Sequence, residues 1–235
     1  MSKNRFNHIE VYIKHNIILE YIYLEIIPLK GLFMADFHAR AIEIYQKCLK
    51  NAQLQDTILI AAGDMGVSWE RGSDSNPLLF VTKMLPKVRA LYYVAGNHDI
   101  VTDELRMLKN RDGTPVLLQA DVVDIDSCAL AGLSGIISSK KKNQRFNREE
   151  YFELLDGLFD QNILHLVTHE TPQIPSISNS YKGQVELTQR VIDSTIETHF
   201  FAHCRFHPNW IGEQEGVTFV NVADLLVSVN RERNI

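Results

Sequence analysis

The sequence is poor in the features that mark several protein classes. It has three cysteines in 235 residues, Cys48, Cys128 and Cys204, and no CxxC pair. A disulfide framework is therefore not expected. We expect the protein to be in a reducing compartment such as the cytoplasm. Basic residues are outnumbered by acidic ones, 24 against 29, so nucleic acid is not the expected partner. No uncharged apolar run reaches the length of a membrane span, and we expect no membrane association.

The chain also lacks internal repeats, low-complexity tracts and a linker rich in glycine, serine or proline, which favours one domain. Its N-terminal stretch is rich in isoleucine and tyrosine, but charged residues interrupt it and it does not have the pattern of a signal peptide. We interpret residues 1–28 as an extension that packs on the core, and residues 29–235 as the domain itself.

Short apolar segments alternate with segments of helical periodicity along the domain. The apolar segments are typical of strands buried on both faces: LKGLFMAD, DTILIAAGD, ALYYVAGNHD, CALAGLSG, NILHLVTHE, THFFAHC and GVTFVNVADLLVSV. Helical spacing recurs at residues 42–52, 148–159 and 185–197, and Asn76 followed by Pro77 predicts a helix N-terminus with Asn76 as its cap. This alternation predicts an α/β fold, in which ligands bind beyond the carboxyl ends of the strands.

Five of these predicted strands end in side chains that can bind metal ions. A single such residue is more often a turn residue or a surface histidine than a ligand. Five strand ends with the same chemistry predict one shared site, because the carboxyl ends of neighbouring strands can lie side by side. The residues are Asp36, His38, Asp64, Asn97, His169 and His203.

In their order and spacing these residues resemble the calcineurin-like metallophosphoesterases. The resemblance spans roughly residues 30–225 and is carried by Asp36-Phe-His38, Gly63-Asp64, Gly96-Asn97-His98-Asp99, Thr168-His169 and Ala202-His203. It implies two packed mixed β-sheets flanked by helices, a four-layer α/β/β/α sandwich, with a dinuclear metal site at the strand ends.

The resemblance also implies a set of metal ligands. They are Asp36 and His38 for a first ion, Asn97, His169 and His203 for a second, and Asp64 as a bridge between the two. Oxygen and imidazole ligands suit several divalent cations. We expect two such ions, with manganese favoured over iron, zinc, nickel or magnesium.

The implied activity is hydrolysis of a phosphomonoester or phosphodiester by a hydroxide that bridges the metals. His98 would protonate the leaving oxygen, Asp99 would hold its ring, and Asn97 and Arg205 would contact the substrate. The expected enzyme is a metal-dependent phosphoesterase acting on a small phosphate ester or a nucleotide. Nothing in the sequence indicates an oligomeric state.

The last motif departs from the family pattern Gly-His-x-His. Ala202 replaces the glycine, Arg205 stands where the second histidine belongs, and His207 follows two residues later. Either His207 supplies the last metal ligand through a bulge, which we favour, or Arg205 occupies that position and the first ion is weakly held. In the latter case the chain could be a weakened scaffold of the same fold that binds a protein partner.

A basic segment, SSKKKNQRFNR, precedes the helix predicted at residues 148–159. The more common explanation of such a segment is a solvated loop, which we favour. The functional alternative is a positively charged lip that attracts an anionic or nucleotide substrate.

Overall fold

The computed structural model describes residues 6–14, 17–24, 31–38, 54–66, 74–177, 182–205 and 209–229. Within these residues the first of two six-stranded mixed sheets has the order β1-β2-β14-β3-β4-β5. Its strands are β1 (Phe6–Lys14), β2 (Ile17–Leu24), β3 (Gly31–Met34), β4 (Ile58–Ala61), β5 (Ala90–Tyr93) and β14 (Leu226–Val229). The strands β3, β4 and β5 run parallel, so their carboxyl ends share one edge.

The second six-stranded sheet has the order β12-β13-β11-β10-β7-β6. Its strands are β6 (Ala120–Ile125), β7 (Cys128–Leu133), β10 (His165–Thr168), β11 (Thr198–Phe201), β12 (Ile211–Gln214) and β13 (Val217–Asn221). The four central strands are parallel, and β6 and β12 pair antiparallel at the two edges. A small parallel pair, β8 (Ile136–Ile137) and β9 (Arg145–Phe146), lies between β7 and β10 in the chain.

Four α-helices occur among the described residues: α1 (Leu78–Met84), α2 (Asp103–Met107), α3 (Arg148–Phe159) and α4 (Val185–Ile192). The start of α3 is fixed by a capping box, in which Asn147 and Glu150 satisfy each other's backbone N–H groups. None of the helices in the described part of the chain is long and apolar enough to cross a membrane.

The apolar side chains form three layers that hold the sheets and helices together. The layer between the sheets includes Phe33, Ile60 and Tyr92 from the first sheet and Val167 and Phe200 from the second. Two outer layers pack α1 and α2 on the first sheet and α3 and α4 on the second. The predicted four-layer α/β/β/α sandwich is confirmed, and strands covered on both faces explain the apolar runs in the sequence.

The structure corrects several local predictions. The segment GVTFVNVADLLVSV forms two strands that belong to different sheets, β13 and β14. The helix α1 begins at Leu78 rather than Pro77, although the side chain of Asn76 still accepts a hydrogen bond from the Leu78 N–H group at 2.8 Å. The helix predicted at residues 42–52 lies outside the described residues.

The N-terminal segment continues the first sheet. Its strands β1 and β2 form an antiparallel pair, and β2 adds to the sheet by parallel pairing with β14. The division between residues 1–28 and 29–235, with the first as an extension that packs on the core, stays a prediction.

The two sheets are joined at their centre by stacked aromatic rings. The rings of Phe33 and Phe200 lie 3.8 Å apart with an angle of 11° between their planes, and neither is exposed. We expect Phe200→Ala to lower the free energy of unfolding by about 3–5 kcal/mol, because it removes this contact and leaves a cavity between the sheets. Urea unfolding followed by circular dichroism measures the change.

The control is Leu79→Ala on α1, where the side chain is 46% exposed and truncation should cost less than about 0.5 kcal/mol. Similar losses for the two variants would contradict the role of this ring pair.

Candidate metal centre

The carboxyl ends of β3 and β4 hold the first group of predicted ligands through backbone hydrogen bonds. The N–H group of Asp36 donates to the Gly63 carbonyl at 3.0 Å, and that of His38 donates to the Asp64 carbonyl at 2.9 Å. The two loops therefore run side by side. Ligand atoms of Asp36, His38 and Asp64 lie within 4.8 Å of one another, and both carboxylates are buried. This group can hold a metal ion.

The second sheet contributes His169, which follows β10 and is fully buried. Its Nε2 atom lies 3.4 Å from Oδ2 of Asp64 and 3.1 Å from the side-chain oxygen of Asn97. Its Nδ1 atom lies 2.7 Å from the carbonyl oxygen of Ala62, to which an Nδ1–H group donates. This bond leaves Nε2 turned toward the carboxylates.

His203, which follows β11, completes the group. Its backbone N–H donates to Oδ2 of Asp36 at 3.1 Å, and its ring centre lies 5.2 Å from that of His169. The six predicted ligands that lie among the described residues come from five strand ends, and the structure brings all six together. Their assignment to a first or a second ion stays a prediction.

The backbone of this group is held in an unfavourable conformation. Asp36, His38, Asp64 and His203 all have positive φ angles, 59°, 46°, 55° and 69°, in the left-handed region that such residues rarely adopt. Each costs on the order of 1 kcal/mol and persists because the surrounding hydrogen bonds impose it. Clustered strain of this kind is typical of functional sites.

Two glycines allow the loops to approach this closely. A Cβ atom at Gly63 would lie 2.5 Å from Nδ1 of His169, and one at Gly96 would lie 2.2 Å from Oδ1 of Asp64. Gly63 also has a φ of +97°, which favours glycine. The Gly-Asp and Gly-Asn-His patterns therefore have a steric reason, because side chains at these positions would push the ligands apart.

The pKa shifts in this group indicate that its buried carboxylates favour a positively charged neighbour. Burial raises the pKa of Asp36 to about 7. Burial also acts against the charged form of His169, yet the carboxylates of Asp64 and Asp36 raise its pKa to about 10. Burial opposes ionisation of Asp64 as well, but His169 and the His98 N–H group hold the pKa of that carboxyl well below its usual value. The proton on His169 thus offsets the charge of the Asp64 carboxylate, while the raised pKa of Asp36 lets that group take up a proton of its own near neutral pH.

The residues fit a divalent metal ion. A cation among Asp36, His38 and Asp64 would supply the charge that the His169 proton otherwise supplies. The Nδ1–H bond from His169 to a backbone carbonyl is the support that metal-binding histidines commonly have, and it leaves Nε2 available for the ion. Carboxylates and imidazoles together are suited to manganese, iron or zinc.

The environment of His98 differs from the prediction. We expected Asp99 to hold its ring, but Oδ2 of Asp99 accepts hydrogen bonds from the Asp64 N–H, the Gly96 N–H and the Tyr93 hydroxyl, at 2.7 to 2.8 Å. Asp99 is fully buried and supports the metal-site loops. The short side chain of Asp99 is committed to this backbone, so the ring of His98 meets another acid.

That acid is Asp74, whose Oδ1 atom lies 3.6 Å from Nδ1 of His98. Both atoms are buried, and neither has a hydrogen-bond partner among the residues that the structure describes. Asp74 is held in place because the Ser75 N–H donates to the His98 carbonyl at 2.7 Å and the Ile100 N–H donates to the Ser75 carbonyl at 2.8 Å. The sequence offered no signal for Asp74, which lies in a polar loop beyond Asp64.

The sequence offers His207 and Arg205 as alternatives for the last ligand position. His207 lies outside the described residues, so its role stays a prediction. Arg205 forms an ion pair with Asp224, and its charge contributes, after burial, to lowering the pKa of the nearby His38. Arg205 therefore lies close enough for its charge to reach the metal centre, and its contact with substrate stays a prediction.

One buried acid near the site was also missed. Glu170 directly follows His169, is 4% exposed, and accepts hydrogen bonds from the Ile137 N–H at 2.7 Å and the Thr171 N–H at 2.9 Å. Its signal in the sequence is an acidic residue close after an apolar strand, where a buried charged side chain is uncommon. Glu170 ties β8 to the end of β10.

No protein-family model and no curated protein matches the chain. Among solved structures, the chain is similar to a protein of Thermus thermophilus, with 13% identity and a TM-score of 0.58 over 82% of this chain and 89% of that one. It is also similar to phosphopantetheinyl hydrolase from Mycobacterium tuberculosis, with 12% identity and a TM-score of 0.50 over 83% and 88%. At such identities the likeness shows a shared fold.

Metal binding should compete with the proton on His169. Because a bound ion needs the unprotonated Nε2 atom, we expect the association constant for Mn²⁺ to rise about tenfold per pH unit between pH 6 and pH 8. The rise should be steeper below pH 7, where Asp36 also carries a proton. Isothermal titration calorimetry in buffers of different ionisation enthalpy counts the protons released. An affinity that does not change with pH would contradict this assignment.

Asp74→Asn should lower turnover without emptying the metal site. The amide keeps the shape of the side chain but removes the charge that faces Nδ1 of His98, so we expect kcat to fall about 10- to 100-fold. The KM value and the bound metal, measured by steady-state kinetics and elemental analysis, should change little.

Asp99→Asn is the matched comparison, because the same substitution there disturbs the bonds to Asp64, Gly96 and Tyr93. It should lower the melting temperature, whereas Asp74→Asn should not. If instead Asp99→Asn lowers kcat at an unchanged melting temperature and Asp74→Asn lowers the melting temperature, Asp99 is the residue that orients the ring.

Proposed function

We propose that the protein is a metal-dependent phosphoesterase that hydrolyses a phosphomonoester or phosphodiester at the joint edge of its two sheets. The observation that carries the proposal is the buried group of Asp36, His38 and Asp64 with His169 held against it. Buried carboxylates whose negative charge is offset by the proton of a neighbouring histidine form a site prepared for cations.

The ligands proposed for two divalent ions are Asp36 and His38 for the first, Asn97, His169 and His203 for the second, and Asp64 between them. Manganese is the proposed metal. Such ions, when bound, hold phosphate oxygens and provide an activated water for attack on phosphorus. The protein's part is to fix these ligands, and the hydrogen bonds from the N–H groups of His98 and His203 orient the two carboxylates.

His98 is the proposed proton donor. Its side chain is 22% exposed, so a substrate can reach it, and its ring centre lies 6.0 Å from that of His38. Since Nδ1 faces Asp74, Nε2 is the atom left to meet the substrate. Donation of a proton from Nε2 to the leaving oxygen would avoid expulsion of an alkoxide.

The fold agrees with this proposal. One protein that shares it is named a phosphopantetheinyl hydrolase, which supports hydrolysis of a phosphate bond by this chain. A scaffold that only binds a protein partner would not need His98, which is not among the proposed ligands, or the acid beside it. The proposed substrates are small phosphate esters or nucleotides in the cytoplasm.

The deciding experiment measures hydrolysis of phosphate mono- and diesters by metal-stripped protein reloaded with Mn²⁺, for the wild type and His98→Ala. We expect manganese-dependent hydrolysis by the wild type. His98→Ala should lose about 10²–10⁴-fold in rate on alkyl phosphates, whose leaving group needs a proton, and much less on p-nitrophenyl phosphate.

Leu79→Ala, on the solvent side of α1, is the control and should behave as the wild type. Equal losses on alkyl and aryl substrates would contradict the proton-donor role. Absence of hydrolysis by protein that still binds Mn²⁺ would favour the scaffold.

A further inference from the structure

The connection between β8 and β9 carries the cationic side chains Lys140, Lys141 and Lys142, and β9 begins with a fourth, Arg145. We call residues 140–145 the basic loop. Its neighbour Arg148 is already engaged, because it pairs with Glu186 and its guanidinium carbon lies 5.5 Å from the centre of the Phe152 ring. The basic loop therefore has to be considered separately from the helix that follows it.

The basic loop is rooted in the framework of the metal centre. The Gly135 N–H donates to the carbonyl of Ala95, which directly precedes the Gly-Asn-His turn, at 2.8 Å. The Ile137 N–H donates to the Glu170 carboxylate at 2.7 Å, directly after His169. The base of the loop is thus fixed to one strand end of each sheet, as is expected of a site wall.

The loop directs Lys142 toward the proposed proton donor. The Nζ atom of Lys142 lies 3.8 Å from Oδ2 of Asp74, whose other oxygen lies 3.6 Å from Nδ1 of His98. A single carboxylate therefore separates the ammonium group from the ring. The Lys142 side chain is 56% exposed, and a long, exposed ion pair of this kind is weak. Lys142 can exchange it for an anion of the substrate.

Arg145 adds positive charge on the same side. Its guanidinium donates a hydrogen bond to the Asn143 carbonyl at 3.3 Å, which holds the loop. Its backbone pairs with that of Ile136, which lies between the two residues, Gly135 and Ile137, whose N–H groups are fixed to the strand ends of the metal centre. Arg145 therefore belongs to the fixed base of the basic loop.

We propose that the basic loop binds a second phosphate on the leaving group, so that the preferred substrates are bisphosphates of an alcohol. This inference rests on the proposed phosphoesterase activity. In the proposed reaction the leaving oxygen lies at His98, and the loop lies on the Asp74 side of that ring, so an anion bound by the loop would belong to the alcohol that departs. Water adds to phosphorus, the P–O ester bond breaks, and the alcohol oxygen takes a proton, which yields inorganic phosphate and an alcohol that keeps its other phosphate.

The test compares adenosine 3′,5′-bisphosphate with the adenosine 3′- and 5′-monophosphates. Charge-assisted hydrogen bonds from two cations should lower the KM for the bisphosphate about tenfold or more. The quantity compared is the ratio of the KM for a monophosphate to the KM for the bisphosphate. In the double variant Lys142→Ala/Arg145→Ala this ratio should approach one, and in the wild type it should shrink with added salt. A ratio cancels any general loss of turnover.

The control double variant is Lys83→Ala/Lys87→Ala, which removes the same charge near the start of β5, at the opposite end of the sheet from the metal centre. It should keep the ratio of the wild type. If the loop variant keeps that ratio too, or the control loses it equally, the proposal is overturned.

A binding measurement separates this proposal from the activity on which it rests. Calorimetric titration of the same three nucleotides into manganese-loaded His98→Ala protein, with and without the loop substitutions, gives the ratio of Kd values without turnover. Should the wild type hydrolyse no phosphate ester at all, the proposed activity fails, and the titration is made on the wild type. If the protein with the unsubstituted loop binds the bisphosphate more tightly and the loop variant does not, the loop is supported as an anion site. If the protein with the unsubstituted loop shows no such preference, the proposal is overturned.

Discussion

The contact between Asp64 and His169 is the interaction on which the site depends. These residues belong to different sheets, both are buried, and their polar atoms are 3.4 Å apart. The carboxylate needs a cationic neighbour in this environment, and the imidazole is fixed by its bond to Ala62. The two sheets can therefore meet at this edge only in an arrangement that keeps the pair together.

The contact is accompanied by backbone strain in the surrounding loops. Left-handed conformations at Asp36, His38, Asp64 and His203 are held by hydrogen bonds between loops that belong to different strands. The large apolar layer between the sheets, with the stacked rings of Phe33 and Phe200 at its centre, stabilises the arrangement. A rigid sandwich can carry a strained and highly charged edge because most of its stability lies elsewhere.

The acids around His98 divide between two tasks. Asp99 supports backbone N–H groups and the Tyr93 hydroxyl, whereas Asp74 faces the ring. Although Asp99 directly follows His98 in the sequence, it does not meet the His98 ring, because its short side chain turns back to the loop. The basic loop approaches the same side, so the environment of His98 is assembled from three separate parts of the chain.

Local pattern in the sequence was enough to predict an α/β fold and a shared site for six polar residues at strand ends, whereas the four-layer sandwich was implied by the family resemblance. Carboxyl ends of parallel strands share one edge of a sheet, which accounts for Asp36 and Asp64. His169 belongs to the other sheet, and its place beside them depends on how the two sheets pack. The pairing of β2 with β14, the position of Asp74 beside His98 and the tie between Glu170 and β8 were decided by the tertiary structure. Each joins residues far apart in the chain through a hydrogen bond or a charge contact, and no local periodicity records which distant partner a polar group will meet.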